Sequence, residues 1–232
     1  MTLKGLAPIP PQFTATRDSL HLVAEQIISP ARAAATGDEF SLDATNGGFG
    51  TPPLPNGGSV RVEGLDLVVT SDDGREQRSP LTSLRAGAEA AGVSSEGLSD
   101  EPLDLDVDSA AVIAAAFQLA DGVLREFRAE AVPAAAPTEN QLWPEHFDIA
   151  IVHGDEGSGK RATYGLSPGD AEHDEPYLYV APWNAPGDST IWTAVGFTGA
   201  ELNWSQLVEA EDPRVAALQF FREYRDALAL RD

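Results

Sequence analysis

The chain has no cysteine among its 232 residues. Disulfides, thiolate catalysis and cysteine-based zinc sites are therefore all excluded. Lysine is almost absent, with only Lys4 and Lys160, and Lys and Arg together number 15 against 37 Asp and Glu. The resulting net charge of -22 repels phosphate backbones and anionic headgroups, so neither nucleic acid nor membrane is expected as a partner. Long apolar runs are also missing. The longest, "AAVIAAAFQLA", is short and alanine-rich for a bilayer span, and "MTLKGLAPIPPQF" has no apolar core of a secretory signal. These absences predict an acidic, soluble, cytoplasmic protein. The hydrophobic fraction of 42% is enough for a sizeable core.

What is present is patterned as both helix and strand. Leu20, Val23, Ile27 and Ala31 recur at helical spacing and predict a helix over 14–35, kinked near Pro30 and ended by Gly37. "EFSLDAT" alternates as a strand. "NGGFGTPPLPNGG" reads as a long Gly/Pro loop. "SVRVEGLDLVVTS" reads as a strand bulged at Gly64, turned by Asp72, Asp73 and Gly74 into "REQRSPL". A short helix closes at Gly92. A longer one over 109–131 carries the stripe Val112, Ile113, Ala116, Phe117, Ala120, Val123, Leu124 and Phe127, with Asp106 or Asp108 as its cap.

"VPAAAPTENQ" reads as a linker. Beyond it, "HFDIAIVH", "RATYGL", "PYLYVAPW", "STIWTAVGF" and "AELNW" read as strands, and Asp212 caps a last helix with Pro213 in its first turn. Consecutive strands lack the helical crossovers that a parallel sheet requires. The expectation is an α+β fold, with antiparallel sheet packed against about four helices. It forms a single domain over 1–232, built of pseudo-halves 1–132 and 142–232 joined by linker 133–141.

One motif invites a nucleotide. Gly154, four residues, then Gly159 and Lys160 follow the phosphate-loop spacing, but Arg161 stands where Ser or Thr should hold magnesium. Ala162, Tyr164 and Leu166 alternate, so a strand rather than a helix is expected after the lysine. The segment reads as a flexible hairpin turn, and neither cofactor nor metal is expected.

The remaining candidates are aromatic and imidazole side chains. His146 lies two residues before Asp148, on the same face if the segment is a strand. His173 sits in "DAEHDEP", which lacks calcium-loop spacing and reads as a solvated acidic loop. Trp143, Tyr177, Tyr179, Trp183, Trp192 and Trp204 are concentrated in the second half, and Tyr177 and Tyr179 share a strand face.

Several segments, "TRDSLHLVAEQI", "DATNGGFGTPPLP", "LDLVVTSDDGREQ", "ADGVLREFRAE", "LWPEHFDIAIVH", "EPYLYVAP" and "EDPRVAALQFFREY", resemble in order a bacterial family of uncharacterised proteins, a domain of unknown function. The resemblance covers nearly the whole chain. It implies the order of elements and assigns no residue a role.

Two functions are expected from the residues. The first is a non-catalytic protein, binding a small-molecule ligand or acting as an interaction module, with His21, Phe49, Trp143, His146, Tyr177 and Tyr179 at the binding surface. The second is a metal-assisted hydrolase or isomerase using His146 and Asp148, with His21. A monomer or a homodimer is compatible with either.

Overall fold

A computed structural model describes residues 5–184 and 190–229. It is an α+β structure with two antiparallel sheets. The chain divides into two compact units, one of residues 9–118 and 141–148 and the other of the described residues of 1–8, 119–140 and 149–232. We call them the amino- and carboxy-terminal units. The division falls inside the long central helix and not at the expected linker. Residues 133–135 form a 3-10 turn, and the Ala135 carbonyl accepts a hydrogen bond from Gly154 N–H at 2.9 Å, which ties the linker into the carboxy-terminal unit.

The amino-terminal unit opens with α1 (Phe13–Val23), a π-helical turn (Ala24–Ile28) and α2 (Ser29–Thr36), one continuous helical path. Pro30 stands one residue beyond the π turn, after Ser29. It has no N–H to give to the preceding turn, and the widened turn absorbs that loss without breaking the helix. Gly37, at φ +77°, closes it. The sheet follows as β1 (Asp43–Thr45), β2 (Gly48–Gly50), β3 (Ser59–Glu63), β4 (Asp66–Thr70) and β5 (Glu76–Pro80), paired in chain order.

Two features differ from the sequence-based expectation. Part of the Gly/Pro loop is the interior strand β2. A Cβ on Gly48 would lie 2.3 Å from the Val62 carbonyl oxygen, and one on Gly50 2.5 Å from Arg61 Cβ, so glycine lets this strand approach β3. Gly64 makes no bulge. At φ +62° it forms, with Leu65, the two-residue turn between β3 and β4, in which Glu63 pairs with Asp66.

The unit is completed by α3 (Leu84–Ala91) and the first half of α4 (Val107–Ala129). Ser83 caps α3 by accepting from Ala86 N–H at 3.1 Å. Asp106 caps α4 by accepting from Ser109 N–H at 2.8 Å. Strand β6 (Gln141–Trp143) lies beside the first sheet's edge, with Leu142 bridging Leu42.

α4 is long and apolar enough by length and composition to cross a membrane, longer than its apolar run suggested, but most of that stretch is buried within the protein. Val112, Ile113, Phe117, Val123, Leu124 and Phe127 all lie in the core.

In the carboxy-terminal unit, β7 (Asp148–His153), β8 (Ala162–Ser167), β9 (Tyr177–Pro182) and β10 (Ala200–Asn203) pair antiparallel in chain order. α5 (Trp204–Glu209) and α6 (Pro213–Ala229) follow. Pleating puts Ile149, Ile151, His153, Tyr164, Leu166, Leu178 and Val180 on the core face, where Tyr164 meets Phe127 of α4 and Phe221 of α6 at 4.9 and 5.8 Å between ring centroids. Glu130, just past α4, takes Arg222 in a bidentate pair and Arg225 at 3.2 Å, while Arg214 reaches Glu126 at 2.5 Å, which lines α4 and α6 with opposite charge.

The expected strand "STIWTAVGF" begins at Ser189, outside the described residues, and its described part forms no strand; residues 190–199 are turn, coil and bend. The short helix α5 replaces the end of the expected strand at Trp204. Gln206 Oε1 accepts there from the Asn203 backbone N–H at 3.0 Å, a helix-start contact that the alternation of "AELNW" obscured.

Candidate functional site

The glycine-lysine tract resolves first. β8 begins at Ala162, so an extended strand follows Lys160 and no helix N-terminus faces the loop, as expected from the alternation. Lys160 Nζ instead donates to the Ala229 carbonyl, at 2.9 Å, at the C-terminus of α6. A cation there satisfies a helix-end carbonyl and complements the helix dipole.

In the amino-terminal unit, Phe49 is fully buried and packs edge-on against Phe117 and Phe147, at 6.2 and 5.0 Å between ring centroids. It fills core, so contact with a ligand would require opening that core. His21 stacks on Phe147 at 5.3 Å with the rings 8° from parallel, and its Nε2 is buried without a hydrogen-bond partner among the described residues. Phe147 has φ +52°, a left-handed conformation that a bulky side chain rarely adopts.

That backbone twist breaks the strand alternation expected to bring His146 and Asp148 together. His146 is exposed in the turn before β7, while Asp148 is buried at the strand's start. Trp143 is part-exposed and packs against Phe40 at 6.4 Å. A depression of about 490 Å³ also lies in this unit, lined by small side chains such as Ala31, Ala35, Val60 and Val69. Asp72 is the one charged residue in its wall, and it offers no arrangement of reactive groups. Among the described residues, no group of three or more His, Asp or Glu is disposed to hold a metal ion.

The carboxy-terminal unit brings more chemistry together. On the sheet face opposite the core, β9 presents Tyr177 and Tyr179, and Trp183 follows just past its end. Tyr179 pairs with Gly165 on β8 and Glu201 on β10. A Cβ at 165 would lie 2.7 Å from the Tyr179 ring, so the glycine makes the flat floor on which that ring rests. Trp183, 51% exposed, donates through Nε1 to Thr163 Oγ1 at 3.2 Å and is stacked by the Arg161 guanidinium at 4.9 Å. Phe197 packs against both tyrosines, at 6.4 and 6.1 Å.

His173 closes one end of this face, and here the structure departs from the expected solvated loop. The imidazole is buried and lies between two carboxylates, with Nδ1 2.8 Å from Asp170 and Nε2 3.1 Å from Glu201. It stacks on Tyr177 at 4.1 Å, and the Tyr177 hydroxyl donates to the other Asp170 oxygen at 2.7 Å. Burial opposes the imidazolium, but the hydrogen bonds and charges of Asp170 and then Glu201 outweigh it and raise the His173 pKa above 6.5. Asp170 and Glu201 are 31 residues apart in sequence, so only their convergence on one ring identifies them.

His153 has the opposite environment. It is 4% exposed, at 5.0 Å from the Phe127 ring and 5.7 Å from Tyr164, and neither ring nitrogen has a hydrogen-bond partner among the described residues. Burial first, and the Arg225 charge second, push its pKa below 6.5. The unfolded chain then takes up a proton that the folded one refuses, so this histidine lowers stability as pH falls through 6.5 towards its folded pKa. Comparing urea midpoints at pH 7.5 and 5.5, His153→Leu is expected to lose less stability on acidification than the unsubstituted protein. Equal losses in the two would show that His153 does not titrate against folding.

Comparison with protein-family models, with curated proteins and with solved structures returns no match.

Proposed function

We propose that the protein is a non-catalytic binding protein that takes a small planar ligand on the aromatic face of its carboxy-terminal sheet. The observation that carries this proposal is Tyr179 lying across Gly165 beside the half-exposed Trp183. A packed sheet face has no need of a large aromatic left in water. Flat rings with hydrogen-bonding edges suit a ligand that stacks and is oriented by polar groups at its rim. Thr163, Arg161 and Glu201 supply that rim. Among the described residues of this face no nucleophile adjoins a base, which favours binding over catalysis. Of the expected surface residues, Tyr179 belongs to it, and Tyr177 lies buried at its end between His173 and Phe197. His21, Phe49, Trp143 and His146 belong to the other unit.

A thermal-shift screen with planar heteroaromatic compounds tests the proposal. A ligand at a hundredfold its Kd stabilises by about 2.7 kcal/mol, a rise of about 5–10 °C for a chain this long. Gly165→Ala is expected to abolish the shift, because the added methyl also meets the Ile149 carbonyl oxygen at 2.8 Å and lifts the Tyr179 ring. Trp183→Ala is expected to weaken it while leaving the far-UV spectrum unchanged. A broad panel without a stabilising compound, or a shift indifferent to both substitutions, would remove this face as the site.

A further inference from the structure

We infer that His173 is a protonation-dependent latch, which as an imidazolium clamps the 168–176 loop to β10 over Tyr177 and on deprotonation lets the two part. The geometry requires the charge. A neutral imidazole has one N–H and one lone pair, whereas an imidazolium has two N–H groups. Both ring nitrogens of His173 face carboxylate oxygens, at 2.8 and 3.1 Å. Loss of the proton therefore turns one of these hydrogen bonds into a lone pair facing an anion in a buried place. Among the groups facing the ring are Asp170 from its own loop, Tyr177 from β9 and Glu201 from β10, and Glu172 lies against Gly196 beside them.

Each carboxylate also anchors backbone. Asp170 accepts from Glu172 N–H at 2.8 Å, and Glu201 accepts from Val195 N–H at 3.2 Å. Opening the latch loosens the turn on one side and the 194–199 segment on the other. These are the two coverings of Tyr177, whose ring stacks between His173 and Phe197. The raised His173 pKa places the change on the alkaline side of 6.5, so the clamp is complete below that pH and is lost as pH rises through the folded value. The latch stands independently of any ligand on the neighbouring face.

NMR of the full chain tests it. The four imidazole Cε1–H signals are followed from pH 6 to 10, with His173→Gln to assign the relevant one. The His173 signal is expected to titrate above 6.5. Over the same range the exchange protection of the Glu172 and Val195 amides, corrected for base catalysis, is expected to fall by up to about tenfold per pH unit. Glu201→Gln is expected to move the titration down towards 6.5. A His173 signal titrating at or below 6.5, amide protection flat across its titration, or an unchanged titration in Glu201→Gln would overturn the latch. Should His173→Gln not fold, the unsubstituted protein and Glu201→Gln decide the matter.

Discussion

Phe147→Ala is expected to destabilise the protein by about 3–5 kcal/mol, and Phe147→Gly to cost no more than that. The ring is buried and shared by three neighbours, with Phe49, Phe117 and His21 all within 5.3 Å between centroids. Removing it leaves a cavity bounded by stiff rings that cannot close over it. The comparison of alanine with glycine tests the backbone. In an ordinary core position glycine is the worse replacement by about 0.5–1 kcal/mol, because of the freedom it regains on unfolding. At φ +52° an alanine retains a left-handed strain of about 1–2 kcal/mol that glycine does not feel. The order of the two should therefore invert or vanish. Urea unfolding followed by far-UV circular dichroism measures it. A glycine variant clearly less stable than the alanine variant would show that residue 147 is not held in the left-handed region.

Trp204→Ala is the second large effect, at about 3–5 kcal/mol. Trp204 is fully buried at the start of α5, and its indole N–H donates to the Ala7 carbonyl at 2.9 Å. Its backbone N–H donates to the Pro176 carbonyl at 2.8 Å. One residue thus fixes α5, the amino-terminal segment and the loop entering β9. Trp204→Phe keeps most of the apolar volume and loses the indole hydrogen bond. Ala7 is exposed and water can replace that donor, so the phenylalanine variant should cost only about 1–2 kcal/mol. Equal losses in the two variants would mean that the hydrogen bond, and not the buried ring, dominates. Limited proteolysis of Trp204→Ala is expected to cleave first among residues 5–12, because their anchor to α5 is gone.

Local chemistry made several elements legible in the sequence. Helical spacing of apolar residues placed the opening helix and α4, because a stripe at that period can be buried only as a helix. Gly37 and Gly92 marked helix ends through their tolerance of positive φ, and Asp106 and Asp212 marked helix starts through their side-chain oxygens. Alternation after Lys160 separates a hairpin from a phosphate loop on sequence alone, and β8 begins at Ala162.

The failures are equally physical. Strand β2 was hidden because its glycines answer to the closeness of β3, a tertiary fact with no local signal. His146 and Asp148 were paired by strand alternation, and the left-handed turn at Phe147 removes the regular backbone on which alternation depends.

The sequence by itself determined that this is an acidic, cysteine-free α+β chain of antiparallel strands and amphipathic helices, since composition and periodicity act between near neighbours. Tertiary structure alone decided the states of its buried histidines. A histidine's proton affinity depends on what surrounds the ring: two carboxylates from separate segments raise the His173 pKa against its burial, whereas burial and then a nearby arginine lower that of His153.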